Sequence, residues 1–530
     1  MSLALHPDIW AEILKYFRIT LVDTFRSNKH SAAEERARNR RVLLSVALTC
    51  SSLLDLAIAE LWRTLSTLEH LIRVYSLPQE VSAPEYWEDG GYWNCNVAPE
   101  RKEALAPRLQ SYLRRIHFLH FQVFPSAREF TLWPILVVLS GNVHLCPNLK
   151  GIFLNLKSVT PSMTYHIAPL ISPSITRLEI TEATEIESEN SAIALLSLIN
   201  VHSTCSIRQV MYKGYISSAI FDHTARFHSL RKLEIRIQSP SPLVPLKTFQ
   251  VERLRSLKEL TSVALDMRSF TWGAVEAVAE WLEGLDALRD LMLEGTWKAI
   301  HRCAFEGVTF QQVQSLRLYG ASPFSAEVFS LISSGFPQLH SLTLQILCNV
   351  SEQSPQQFRI SDLKELRVHT VKKIALAGLP IDISLEDISD ILHTWPLLET
   401  LSLIPATSST TGFAFNAESA LTRASRLGTR LRTIIMPFDF TSLTSALGSR
   451  FSATNSPLQH LTIFSSDAVP ESWKDKQKLV ANLLKLFPRL NTIDTMNLPK
   501  DSSNDLQIIL DNFHQKLSCS SGRHDHLYLY

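Results

Sequence analysis

Pro337-Gln338-Leu339-His340-Ser341-Leu342-Thr343-Leu344 is the phrase on which the chain turns. Its spine is an apolar residue, two others, an apolar residue, one other, and a last apolar residue. The phrase returns at 147–154, 398–403 and 488–493. Looser copies start at Leu113, Ile175, Ile207, Leu230, Leu260, Leu288, Val313, Leu363, Leu431 and Leu458. The fourteen starts lie on average (490 − 113)/13 = 29 residues apart. An alternating apolar core this short reads as a strand with one face buried. Recurrence at a steady spacing is the sequence sign of a solenoid.

Between the phrases lie helical patterns, at 274–285, 327–332, 385–395 and 479–487. Three of them end in an aromatic residue and a proline: Phe336-Pro337, Trp395-Pro396 and Phe487-Pro488. Proline cannot continue a helix, and the residue before it prefers extended backbone. Each repeat therefore reads helix, stop, strand. Phrase and spacing resemble the leucine-rich repeat in an irregular form. That resemblance implies parallel strands on a concave wall and helices on a convex one, in a horseshoe or arc.

Composition narrows the function classes. Lys plus Arg is 52 against 51 for Asp plus Glu, a net charge of +1, which predicts no attraction to nucleic acid or to an anionic membrane. Only 16 glycines in 530 residues argue against Gly-rich phosphate loops. The seven cysteines are scattered and form no C-x-x-C pair, which points to a reducing compartment, cytoplasmic or nuclear. No signal peptide is expected at 1–10, and the apolar run near 132–139 is too short to span a bilayer.

The first 66 residues have another grammar. Pro7 and Asp8 suit a helix start, and Ile9, Ile13 and Phe17 share one face that Trp10 and Leu14 broaden. A polar stretch at 26–41 reads as a solvated loop, and two apolar helices are expected at 42–54 and 56–65. Leu5-His6-Pro7-Asp8-Ile9-Trp10, then Leu48-Thr49-Cys50 within 43–53, then Leu61-Trp62 resemble a fungal-type F-box. His6 stands where that family has its first proline, and the connection 18–41 is longer than its members carry. The resemblance implies docking on a Skp-type adaptor, and through it on cullin and RING subunits of a ubiquitin ligase. The docking residues it implies are Leu5, Pro7, Ile9, Trp10, Ile13 and Leu14.

The expected organisation is α/β: an all-α F-box-like domain at 1–66, a packed linker at 67–110, a repeat array at 111–499 and a polar tail at 500–530. Within the linker, 85–93 reads as a loop pinned by Trp87 and Trp93. No nucleotide-binding, zinc-protease or hydrolase fingerprint is present. His117 with His120, and His524 with His526, lack acidic or Cys partners at metal-ligand spacing, so neither metal nor cofactor is expected. Asp387 and Asp390 read as solvated helix surface. Specificity is expected from outward strand residues that would hold an unidentified protein substrate: Arg236, Asp266, Glu294, Arg317, Tyr319, Gln345, Arg367 and His369. The competing reading is a repeat scaffold or inhibitor outside any ligase, its first helices merely capping the array.

Overall fold

The computed structural model describes residues 7–15, 17, 29–49, 51–68, 71, 99–121, 133, 136–138, 140–141, 144–157, 159–201, 206–237, 252–321, 324–325, 327–347, 358–366, 368, 370–379, 381–382, 385–405, 415–436, 438–439, 443, 456–463, 472–495 and 500–520. The chain forms two compact units, Met1–Leu260 and Thr261–Tyr530. Both have the leucine-rich-repeat fold, in which parallel strands alternate with helices.

Unit 1 opens with helices α1 (Pro7–Lys15), α2 (Lys29–Thr49) and α3 (Ser51–Arg63). The stretch 26–41, expected as a loop, is helical from Lys29 onward. Its Ala, Glu and Arg residues are strong helix formers and continue straight into the apolar segment. The first strand, β1 (Thr64–Leu65), follows α3 directly. Then come α4 (Pro99–Arg115), β2 (Phe118–Phe121), β3 (Gly151–Asn155) and the short helix α5 (Pro161–Thr164). The unit continues with β4 (Arg177–Ala183), α6 (Ile186–Val201), β5 (Gln209–Gly214), α7 (Ser218–Thr224) and β6 (Lys232–Ile237). Each strand pairs in parallel with the next, from β1 to β6.

Unit 2 repeats the logic. It runs β7 (Ser262–Asp266), α8 (Trp272–Glu283), β8 (Asp290–Gly295), α9 (Trp297–Ala304), β9 (Ser315–Gly320), α10 (Val328–Gly335) and β10 (Ser341–Ile346). It continues with β11 (Phe358–Arg359), α11 (Ile360–Leu363), β12 (Lys373–Leu379), β13 (Ile381–Asp382), α12 (Leu385–Thr394), β14 (Thr400–Pro405), β15 (Phe415–Asn416) and α13 (Ala417–Leu427). It closes with β16 (Thr433–Met436), β17 (Phe438–Asp439), β18 (His460–Ile463), α14 (Trp473–Leu486), β19 (Thr492–Thr495) and α15 (Lys500–Ser520). The ladder order here is β7-β8-β9-β10-β12-β14-β16-β18-β19, again all parallel.

The repeated phrase makes the core. Leu339, Leu342 and Leu344 are fully buried, as are Val313, Leu316 and Leu318 one repeat earlier and Leu288, Leu291 and Leu293 two repeats earlier. The aromatic–proline stops recur in structure: Phe336 (φ −132°, ψ 69°) and Phe487 (φ −132°, ψ 79°) leave the helix with nearly the same non-helical backbone, and both rings are buried. Helices α8 and α9 start on the same Thr-Trp-x-Ala words, the Thr271 and Thr296 hydroxyls each accepting from the amide three residues on at 3.4 Å. Two glycines sit where strands bulge. A Cβ at Gly214 would meet the Ala183 carbonyl oxygen at 2.5 Å; one at Gly378, which holds φ +68°, would meet the Ile346 carbonyl oxygen at 2.7 Å.

Three expectations need correction. The phrase read at Leu363 ends helix α11 instead; the strand of that repeat uses Val371, Ile374 and Leu376. At the start of the array the buried phrase is Ile116, Leu119 and Phe121, while Leu113 belongs to α4. Residues from Lys500, read as polar tail, form α15, because Leu506, Ile509 and Leu510 fall at helical spacing and are buried. The aromatic stretch 85–93 lies outside the described residues. No described helix is long and apolar enough to cross a membrane.

Candidate partner-binding surfaces

The N-terminal helices have a closed core and an open surface. Leu14, Leu43, Ala47 and Ala57 are buried together, with Phe17, Val46, Leu56 and Leu61 packed against them. Leu43 and Ala47 lie at i and i+4, so one stripe of α2 faces inward. The next stripe, Leu44 and Leu48, has the same spacing and faces out, at 51% and 77% exposure. Ile9 on α1 and Leu54 on α3 are also exposed, at 47% and 40%. Leu44 and Leu48, one turn apart, make an apolar strip open to water, the kind of exposed surface that marks a binding site when it is contiguous.

The module is also fastened to the helix and strands that follow it. Arg115 on α4 meets Asp55 on α3 at 3.1 Å, and the Trp62 and Tyr112 rings lie 4.7 Å apart. The His117 amide donates to the Arg63 carbonyl at 2.9 Å, which sets the register of β1 against β2. Of the six residues implied for docking, Ile9 is exposed, Trp10 and Ile13 are half-buried, and Leu14 is a core residue at 1% exposure. Pro7 opens α1, and Leu5 lies outside the described residues. Sequence reading missed Leu44, Leu48 and Leu54; the signal was present as a second apolar stripe beside the first.

The strand surface is charged but largely self-paired. In unit 1, Arg177 lies 3.4 Å from the buried Glu179 carboxylate and 4.8 Å above the Phe153 ring, which makes a T-shaped contact with the His120 ring. Arg236 stands 2.8 Å from the carboxylate of buried Glu234. In unit 2, Arg268 bridges Asp266 and Glu294, at 2.5 and 3.1 Å. The bond to Asp266 holds the Arg268 guanidinium above its usual range, with burial working the other way.

Asp266, expected to face solvent, is therefore a correction: its side chain is fully buried under Arg268, and Glu294 is nearly so. Arg317, Tyr319 and Gln345 are half-buried, their strands alternating buried and partly open. Arg367 and His369 lie outside the described residues, and the ladder strand of their repeat begins at Lys373. Asp390 forms an exposed pair with Lys364 at 2.6 Å.

Among the described residues no group of three or more His, Cys, Asp or Glu side chains converges. His117 immediately precedes β2 and His120 lies within it; His524 and His526 lie outside the described residues. Cys146 and Cys303 are free buried thiols, and burial drives both up in pKa, Cys303 to about 12.

No family model matches the chain. No curated protein matches it either. Among solved structures, a chain of the yeast Rad7–Elc1 complex is similar over 89% of this chain and 94% of its own, at 13% identity and a TM-score of 0.36. The leucine-rich repeat-containing protein LegL7 from Legionella pneumophila is similar over 71% of this chain and 92% of its own, at 14% identity and a TM-score of 0.29.

Proposed function

We propose that this chain is the substrate-recognition subunit of an SCF-type cullin–RING ubiquitin ligase. The helices within 1–66 dock on the Skp-type adaptor, and the array at 111–499 holds a protein substrate. The observation that carries the reading is the exposure of Ile9, Leu44, Leu48 and Leu54 on helices whose core is already closed, Leu44 and Leu48 forming one stripe of α2. The F-box resemblance of the same segment names the occupant. The chain catalyses nothing itself in this reading. It raises the effective concentration of substrate lysines beside the conjugating enzyme, in the cytoplasm or nucleus.

A repeat scaffold or inhibitor outside any ligase is the second reading. The fastening of α3 to α4 through Asp55, Arg115, Trp62 and Tyr112 is what a cap would also need. Co-elution of the full chain with a Skp-type adaptor on size exclusion separates the two. The parent is expected to co-elute, and Ile9→Asp with Leu48→Asp to abolish it while circular dichroism stays unchanged. Both substituted residues are exposed, so the variant keeps its core, whereas a change at Leu14 would not. A folded parent that elutes alone leaves the scaffold reading in possession.

A further inference from the structure

We infer that unit 1 carries a binding row for an acidic polypeptide segment, along the lip where the chain enters strands β3 to β6. Assigning that segment to a substrate rests on the function proposed above; the binding itself does not.

The row follows from register. Gly151, Arg177, Gln209 and Lys232 are aligned across β3, β4, β5 and β6 as the first residue of each strand. The residues just before them, Lys150, Thr176, Arg208 and Arg231, form a second aligned row. Together the two rows hold five cations and no carboxylate. Lys150, Arg208 and Arg231 are exposed, while Arg177 and Lys232 are half-buried.

The backbone under this row is fixed by a repeated motif. The Thr176 and Arg177 amides both donate to the Lys150 carbonyl, at 2.9 and 3.0 Å. Those of Arg208 and Gln209 donate to Thr176, at 2.8 and 3.0 Å, and those of Arg231 and Lys232 to Arg208, at 2.8 and 2.9 Å. The cations are thus carried on a rigid comb with teeth about 4.8 Å apart. Two carboxylates on the same strands are paired with arginines, Glu234 with Arg236 at 2.8 Å and Glu179 with Arg177 at 3.4 Å, so Arg177 is shared between Glu179 and the row.

An extended peptide laid along the comb rises about 3.3 Å per residue, so its same-side carboxylates fall roughly 6.6 Å apart. Four strands then accommodate about three of them. The near-zero net charge makes this a local feature and not part of a generally basic surface, which favours an acidic peptide over a polynucleotide.

The test is fluorescence anisotropy of a labelled peptide of about twelve residues alternating Glu and Ser, titrated with the full chain without adaptor. The parent is expected to bind, and to bind less as salt shortens the Debye length from ~10 Å at 0.1 M. Lys150→Glu with Arg208→Glu is expected to weaken binding about tenfold or more. Lys485→Glu, at an exposed cation on α14, is expected to leave it within about twofold. If the reversals disturb folding by circular dichroism, Lys150→Gln with Arg208→Gln takes their place with the same expected order. Absence of binding by the parent, equal loss from the Lys485 variant, or parent-like binding by the neutralised pair overturns the proposal. Tighter binding of a single-stranded oligonucleotide of equal charge overturns the choice of a peptide. Adaptor co-elution of the same variants keeps a failure here distinct from a failure of the ligase reading.

Discussion

Glu189 shows how a single residue couples this array to pH. It sits on α6 with 4% exposure, and its Oε1 has no hydrogen-bond partner among the described residues. Burial raises its pKa, offset in part by bonds from the Ser217 hydroxyl and amide. The buried Tyr212 hydroxyl beside it is raised as well, by burial and by the Glu189 charge. A carboxyl with a higher pKa folded than unfolded binds its proton more tightly in the native state. Its penalty is absent below the unfolded value and grows as pH rises through the folded one. Glu189→Gln is therefore expected to stabilise the protein by roughly 1 kcal/mol at pH 8 and hardly at all near pH 4. Urea denaturation at both values measures this, and a pH-independent difference contradicts it. Residue-scale features of this kind were the least legible in the sequence. Asp266 and Glu294 have the alternation of outward strand residues, yet both are covered because Arg268 folds back over them. That contact depends on lateral packing between strands, which periodicity within one strand does not encode.

At the scale of the element, the end of unit 2 shows how a parallel ladder is stopped. In the preceding repeat the Gln459 carbonyl accepts from the Asn491 and Thr492 amides, at 2.8 and 3.0 Å. No further described strand repeats this on β19. Instead Gln507 of α15 accepts from the Ile493 amide at 2.9 Å and donates to the Asn491 carbonyl at 3.2 Å. One side chain stands in for the next strand, and α15 is held by Leu506, Ile509 and Leu510 and by the Lys476–Asp505 pair at 2.7 Å. An open edge of this kind invites pairing with other chains. Gln507→Ala is expected to cost about 1 kcal/mol and to speed hydrogen exchange at the Ile493 amide. Unchanged exchange there contradicts the capping role. The strands themselves were legible wherever an aromatic–proline stop preceded the phrase, as at Phe336-Pro337. At Leu363 the word Leu-x-x-Leu-x-Val imitates the phrase, but it begins at the end of a helix; short apolar runs do not distinguish the two. Helix α15 was obscured because its apolar residues are few and spaced among polar ones.

In the molecule as a whole, two kinds of surface go with two kinds of sequence. Repeat phrases spend their apolar residues on the core, as Leu342 and Leu344 do, and leave charge on the strand surface and its lip. The first helices bury one apolar stripe and keep a second, Leu44 and Leu48, in water. The fold was readable because one phrase recurs; the exposed apolar surface of the first helices was readable only in part, because Leu14 and Ile9 look alike until burial separates them. The most direct measurement is hydrogen–deuterium exchange of the full chain with and without a Skp-type adaptor. The account predicts new protection in peptides covering Ile9 and 44–54, with the strands β8 to β10 unchanged. Adaptor-dependent protection confined to the repeats, or none anywhere, would contradict it.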